Sequence, residues 1–205
     1  MRETTLRSWT NIARYNPYGD FNISTNRRRH VEGLVSLIEG RIVEDWSPSF
    51  LTFQFRQLPG KAGAILHQMR TEIETIYRKL VCRVQRFPTT RLGSLNVPML
   101  FSCADLPVPK HKKRTIAEVA VNDGVHFHGI VLLPPTSRLR TDLASHFADD
   151  QGRYLAGSRL SSIFAEPIED KLEKVVGYAF KGLVSGRLPY DDAFLVLPRS
   201  LSELA

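Results

Sequence analysis

The stretch GVHFHGIVLLP, residues 124–134, is an apolar run that carries two histidines one residue apart. An apolar run of this length predicts a buried strand. Because side chains alternate between the two faces of a strand, His126 and His128 point to one face while Phe127 points to the other. Two residues of strand rise about 6.6 Å, so both imidazoles can reach one cation. The stretch therefore predicts a strand with Phe127 in the core and a possible metal site on its other face.

A third ligand decides between a metal site and two ordinary polar residues on a half-exposed strand. The segment VNDGV, residues 121–125, fits a three-residue hairpin loop, which would place Glu118 opposite His128 on the same face. A two-residue Asp-Gly loop would instead turn Glu118 away, and Asp105 would then be the substitute ligand. Two imidazoles and one carboxylate suit Mg²⁺ or Mn²⁺ better than a closed structural zinc site.

The segments around this stretch predict alternating strands and helices. FLTFQF, residues 50–55, alternates apolar and polar residues as a half-buried strand does, and residues 61–85 carry apolar residues at helical spacing. The order predicts an α+β fold, a ferredoxin-like or RRM-like split βαβ arrangement with helices on one face of the sheet and the other face available. Further strands are predicted at 99–106, 115–121 and 160–168, and further helices at 137–150, capped by Ser137, and at 169–186.

The length and the net charge of the chain limit its domain organisation and its binding partners. With 205 residues, we expect an N-terminal arm and short helix over 1–45, one domain over 46–188 and a C-terminal tail over 189–205. No stretch has the length and hydropathy of a membrane span or a signal peptide, so we expect a cytoplasmic protein with no membrane partner. The net charge of +7 and the pI near 9.6 favour nucleic acid as the partner.

A single tyrosine lies on the polar side of the predicted C-terminal helix. At 100° per residue, Tyr178 falls outside the apolar arc of KLEKVVGYAFKGLV, and Lys171, Lys174 and Lys181 share its side. Nearby ammonium groups favour a phenolate and help to neutralise a phosphate, so this tyrosine suits a nucleophile that attacks a phosphodiester. The alternative is a surface tyrosine on a basic helix.

Three segments together resemble a known family. FLTFQF (50–55), HFHGIVLL (126–133) and YAFK (178–181), in that order, resemble the three motifs of HUH-superfamily single-strand DNA endonucleases, specifically the rolling-circle replication initiator (Rep) proteins. The resemblance covers about residues 48–186. It implies an antiparallel sheet in which the histidine strand is central, with an extra C-terminal helix that carries the tyrosine and covers the metal side.

The resemblance also implies an activity. His126 and His128 would bind a divalent metal ion, Mg²⁺ or Mn²⁺, together with an acidic third ligand, for which Glu118 is the candidate and Asp105 the substitute. Tyr178 would attack the scissile phosphate, leaving a free 3′-OH and a 5′-phosphotyrosine linkage, and Lys181 would position the phosphate. The implied enzyme is a site-specific DNA nickase and ligase that initiates rolling-circle replication of a plasmid or phage.

The chain departs from the family in one respect, and other functions remain open. Many initiators carry a helicase domain with a GxxxxGK[ST] loop, which this sequence lacks, so a separate host helicase would unwind the DNA. The alternatives are a single-tyrosine transposase, a conjugative relaxase using Tyr15 or Tyr18, and a non-catalytic single-strand-binding module. Contacts to single-stranded DNA or an origin hairpin are predicted for Arg27, Arg28, Arg29, Thr52, Gln54, Arg56, Lys110, Lys112, Lys113, Arg114, Lys171 and Lys174.

Overall fold

The computed structural model describes residues 20–106, 121–186, 188 and 190–200, and its strands form one sheet. The strands are β1 (Ser47–Phe55), β2 (Met99–Asp105), β3 (His126–Leu133), β4 (Leu160–Pro167) and β5 (Phe194–Leu197). Their order across the sheet is β4-β1-β3-β2-β5, and every neighbouring pair is antiparallel. The histidine strand β3 is therefore central, hydrogen-bonded to β1 on one edge and to β2 on the other.

Helices lie on both sides of this sheet, which makes the fold α+β as expected. The helices are α1 (Asp20–Val43), α2 (Ala62–Val84), α3 (Arg91–Ser94), α4 (Leu143–Leu155), α5 (Leu172–Ala179), α6 (Lys181–Val184) and α7 (Tyr190–Ala193), with a 3-10 helix at Val121–Gly124. The short helices α5 and α6 and the long helix α1 pack over the histidine face, while α2 and α4 cover the other face. The expectation that helices pack on only one face, apart from the tyrosine helix on the metal side, is therefore wrong, because α1 also lies on the histidine face.

The hydrophobic core lies on both faces of the sheet, because Ile130 and Leu132, on the histidine face of β3, are as fully buried as the residues on the Phe127 face. Phe127 is completely buried, and Leu51, Phe53 and Phe55 of β1 are at most 5% exposed. The polar residues between them in β1 lie on the histidine face, so the alternation predicted from FLTFQF is confirmed. Burying a side chain of this size stabilises the fold by about 1.5–3 kcal/mol, and the Phe127 face therefore helps to anchor the sheet.

The turn before the histidine strand differs from the predicted hairpin. Val121–Gly124 forms a 3-10 helix, although Gly124 does adopt the predicted left-handed conformation, with φ 76°. Both edges of His128 are occupied, because it pairs with Thr52 of β1 and Cys103 of β2. The predicted pairing of Glu118 with His128 is therefore wrong, since no third strand can reach that position. Glu118 itself lies outside the described residues.

The predicted boundaries of the outer elements also need correction. The expected short N-terminal helix is 24 residues long, and its buried Val31, Leu34 and Ile38 pack into the domain. Helix α4 is capped by Asp142 rather than Ser137, because the Asp142 carboxylate accepts a hydrogen bond from the backbone N–H of Ser145 at 2.9 Å. The stretch expected to be a tail contributes β5 to the edge of the sheet.

The predicted tyrosine helix is interrupted. Helix α5 ends at Ala179, and Phe180, with φ −105°, separates it from the single turn of α6. Phe180 is fully buried and packs its ring on Phe194 of β5, so the chain bends toward the sheet there. Tyr178 and Lys181 consequently lie on either side of the bend instead of on one continuous helix. Among the described helices, none has the length and hydropathy needed to cross a membrane.

Candidate functional site

A cluster of three potential metal ligands lies where β2 and β3 pair. Asp105 is directly opposite His126, and Cys103 is opposite His128, so the carboxylate and both imidazoles share one face of the sheet. The two histidine Nε2 atoms are 3.0 Å apart, and Oδ2 of Asp105 lies 3.5 and 3.8 Å from them. Asp105, the substitute ligand, is thus the acidic residue that the structure brings to the histidines.

The backbone fixes the orientation of the first imidazole. Nδ1 of His126 lies 2.9 Å from the carbonyl oxygen of Gly124. Because a carbonyl oxygen only accepts hydrogen bonds, this Nδ1 carries a proton, and in the neutral form of the imidazole Nε2 then presents a lone pair. Metal-binding histidines commonly have such a second partner, which sets both the tautomer and the ring plane.

The second imidazole is buried and neutral. Burial is the main cause that lowers the pKa of His128 to about 3, and the charges of His126 and Lys181 lower it further. Its Nδ1 lies 3.1 Å from the hydroxyl of Thr52, which can donate or accept a hydrogen bond. Thr52 therefore supports either tautomer of His128, including the one that leaves Nε2 free for a cation.

The geometry of the cluster fits a metal ion. Two nitrogens bound at right angles to one ion, each about 2.1 Å away, are about 3.0 Å apart, which matches the separation of the two Nε2 atoms. The donor atoms of all three residues lie within 4.8 Å of one another. Asp105 and His128 are both only 4% exposed, and the cationic partner that the buried carboxylate needs is supplied by Lys181. Asp105, His126 and His128 could therefore hold a metal ion.

Tyr178 lies beside this cluster. Its ring centre is 5.1 Å from that of His128 and 5.9 Å from that of Phe50, yet half of the residue remains exposed to solvent. The ammonium group of Lys181 lies 4.0 Å from the centre of the tyrosine ring and 2.9 Å from Oδ2 of Asp105. Lys181 thus bridges the tyrosine and the potential metal ligands, and the hydroxyl-bearing ring stays accessible to a substrate.

A glycine allows Lys181 to reach the cluster. A Cβ atom on Gly182 would overlap the carbonyl oxygen of Ala104, so α6 can press against β2 only because this residue has no side chain. The contact fixes the residue before it, Lys181, next to Asp105 at the end of the same strand. Sequence reasoning missed Gly182, because the role of a glycine in helix packing depends on a partner strand about 80 residues away in the sequence.

The predicted DNA-contacting residues have different environments. Thr52 contacts His128, Gln54 accepts a hydrogen bond from Ser162 at 3.0 Å, and Arg56 is exposed beyond the end of β1. Arg27 donates a hydrogen bond to the carbonyl of Leu183 at 3.2 Å, so it links α1 to α6. Arg28, Arg29, Lys171 and Lys174 are exposed, and Lys171 pairs with the neighbouring Asp170. The remaining predicted contacts, Lys110, Lys112, Lys113 and Arg114, lie outside the described residues.

Sequence reasoning also missed an exposed aromatic on the histidine face. Phe164 of β4 pairs directly with Thr52, and 54% of it is exposed. Alternation within SSIFAEP could have placed Phe164 and Ile163 on opposite faces, but only the strand pairing shows which of them faces the histidines. Comparison with family models, with curated proteins and with solved structures finds no match to this chain.

Proposed function

We propose that this protein is a metal-dependent, site-specific single-strand DNA nickase and ligase of the HUH type, a rolling-circle replication initiator. The observation that carries the proposal is the convergence of Tyr178 and Lys181 on the cluster of Asp105, His126 and His128. The ferredoxin-like order of the elements and the three motifs support it. The substrate would be single-stranded DNA or an origin hairpin of a plasmid or phage in the cytoplasm, opened by a separate host helicase.

The residues of the site would act as follows. The phenolic oxygen of Tyr178 attacks the scissile phosphorus, and the bond to the 3′ oxygen breaks. The products are a 5′-phosphotyrosine linkage and a free 3′-OH, which gains the proton that the phenol gives up. Lys181 neutralises charge on the phosphate and on the attacking oxygen. When the strand end returns, the 3′-OH attacks the phosphotyrosine and the reverse reaction rejoins the DNA.

The metal ion, Mg²⁺ or Mn²⁺, would be held by Asp105, His126 and His128. Bound there, it supplies a Lewis acid that polarises the phosphate and stabilises charge in the transition state. The carbonyl of Gly124 and the hydroxyl of Thr52 hold the two imidazoles in position for it. These partners prevent the rings from turning away, which would separate the ligand atoms.

A covalent-adduct assay tests the proposal. Wild-type protein is incubated with Mn²⁺ and end-labelled single strands from the replicon that encodes it, then denatured and separated by size. We expect a covalent protein–DNA adduct with the wild type and none with Tyr178→Phe. Tyr190→Phe removes a hydroxyl outside the site and is the matched control, which should form the adduct normally.

Three outcomes of this assay decide between the alternatives. An adduct that survives in Tyr178→Phe but is lost in Tyr15→Phe or Tyr18→Phe would support the relaxase arrangement. Binding without any adduct, over a library that spans the replicon, would favour the non-catalytic single-strand-binding module. An adduct formed on transposon ends rather than on a replication origin would favour a single-tyrosine transposase.

A further inference from the structure

An exposed phenylalanine continues the row of residues that begins at the histidines. His128 of β3 pairs with Thr52 of β1, and Thr52 pairs with Phe164 of β4, so all three side chains lie on one face of the sheet. Neighbouring strands are about 4.8 Å apart, which puts Phe164 about 10 Å from His128 along this row. The phenyl ring thus lies on the same surface as the candidate metal site, at its open edge.

The neighbouring aromatic on the same face has a different environment. Phe50, two residues before Thr52, packs its ring against both His128 and Tyr178, at 5.1 and 5.9 Å between ring centres. Phe164 has no such ring partner within the part of the chain that the structure describes, and 54% of it is exposed. Phe50 therefore serves packing under the tyrosine, whereas Phe164 presents a free aromatic face to solvent.

The groups around Phe164 favour a base over a phosphate as its partner. Glu166, which follows Phe164 on the same face, is exposed, and its negative charge repels phosphates. On the other side, the exposed Gln54 uses its amide oxygen to accept from Ser162, which leaves its NH₂ group as a donor. Lys181, the cation that contacts both Tyr178 and Asp105, lies on the tyrosine side of the row. A strand bound here would keep its phosphates near Lys181 and its base near Phe164.

We propose that Phe164 is a stacking platform for a nucleobase that flanks the scissile phosphate. Aromatic rings on open sheet faces bind single strands in this way, because every base has a face that can stack. This inference rests on the proposed function for the identity of the strand, but it concerns binding and not bond cleavage. It assigns to β4 the part of the site that fixes the register of the DNA relative to Tyr178.

Fluorescence of 2-aminopurine tests the proposal without cleavage. The full chain is mixed, in EDTA, with a set of single strands that carry 2-aminopurine at each position around the nick. We expect quenching at one or two adjacent positions, lost in Phe164→Ala and retained in Phe164→Trp, because only an aromatic ring can stack. Affinity for the strand should fall roughly five- to 150-fold in Phe164→Ala, which corresponds to the loss of one base–aromatic stack.

A second exposed phenylalanine provides the matched control. Phe87 is 59% exposed and lies between α2 and α3, away from the histidine face, so Phe87→Ala should change neither quenching nor affinity. Equal affinity and equal quenching in the wild type and Phe164→Ala would overturn the proposal, as would a wild type that binds no single strand. Stacking at Phe164 in a protein that never forms the adduct would contradict the proposed nickase activity and would still support the stacking role of Phe164.

Discussion

The two faces of β3 differ in what they contribute to the protein. On one face Phe127 is completely buried, and its partners in the neighbouring strands, Phe53 and Ala104, are apolar and at most 1% exposed. On the other face, one residue along the chain, His128 contacts Thr52, His126 and the ring of Tyr178. At this point of β3, a single strand therefore packs a core ring on one side and holds a polar cluster on the other, because alternation separates the two requirements.

The two faces also differ in energetic cost. The Phe127 face stabilises the fold through burial of apolar area. The histidine face buries Asp105 and His128, which costs free energy unless both find partners. Lys181 and Thr52 offset that cost by contacting the carboxylate and the imidazole at 2.9 and 3.1 Å. Substitution of Phe127 should therefore lower stability, whereas substitutions in the cluster of Asp105, His126 and His128 should change binding and chemistry more than stability.

The largest effect on stability is expected at Phe127. Phe127→Ala removes a fully buried ring from the centre of the sheet, which should lower the free energy of unfolding by about 3–5 kcal/mol in urea denaturation. The exposed Leu92→Ala is the control and should change the free energy by less than about 0.5 kcal/mol. A loss at Phe127 as small as that of the control would mean that this ring is not part of the core.

The next largest effect is expected at His126, and it concerns metal binding. Wild-type protein should gain about 2.7 kcal/mol of stability from Mn²⁺ at a concentration 100 times its dissociation constant, and His126→Ala should gain almost none. Thermal denaturation with and without Mn²⁺ measures the difference. In the absence of metal the variant should unfold close to the wild type, in contrast to Phe127→Ala.

Two carboxylate variants identify the third ligand in the same assay. Asp105→Asn should lose the stabilisation by Mn²⁺, because this carboxylate lies 3.5 and 3.8 Å from the imidazole nitrogens. Glu118→Gln should keep it. The reverse result would identify Glu118 as the third metal ligand and would show that Asp105 serves only as a partner of Lys181.

The smallest effect is expected at Lys181, which pairs with Asp105 and is proposed to neutralise charge on the phosphate. Loss of its charge should change the metal affinity and the rate of adduct formation in opposite directions. The ammonium group lies 2.9 Å from the carboxylate of Asp105, where it competes with a metal ion. Removing a partly exposed ion pair worth roughly 1 kcal/mol should raise the affinity for Mn²⁺ about five-fold in Lys181→Met, measured by calorimetric titration. The rate of adduct formation should fall in the same variant, because the phosphate loses its cation.

A matched lysine controls for the loss of one positive charge. Lys174 is exposed on α5, and Lys174→Met should leave the affinity for Mn²⁺ nearly unchanged. If both lysine variants bind Mn²⁺ equally well, general electrostatic repulsion explains the increase and direct competition at Asp105 does not.

Local patterns in the sequence predicted the central elements well. The period-2 pattern of FLTFQF and the helical spacing over residues 61–85 correspond to β1 and α2, because both elements bury one face in the core. The histidines, the tyrosine and Lys181 could be selected as a potential site for the same reason: polar residues stood out against regular apolar patterns. These signals depend only on neighbours in the sequence.

The features that the sequence did not reveal depend on pairing between distant segments. Asp105 lies opposite His126 because β2 pairs with β3, and no local pattern distinguishes that pairing from a hairpin that carries Glu118. The strand β5 was missed because four residues of FLVL between a helix and a proline carry too little periodicity. The bend at Phe180 follows from its burial against Phe194, which only the folded sheet determines.

The central position of β3 has a consequence for how the site opens. Its amides are hydrogen-bonded between two neighbouring strands, so they should exchange with solvent only when the whole sheet unfolds. Helix α5 has eight residues and ends at a bend, and it should open locally on a much shorter timescale. The histidines and the tyrosine thus lie in parts of the chain whose hydrogen-bonded structure should open at different rates. If Tyr178 carries the attached DNA, as proposed, the amides of the segment that carries it should exchange faster than those of the strand that holds the two imidazoles.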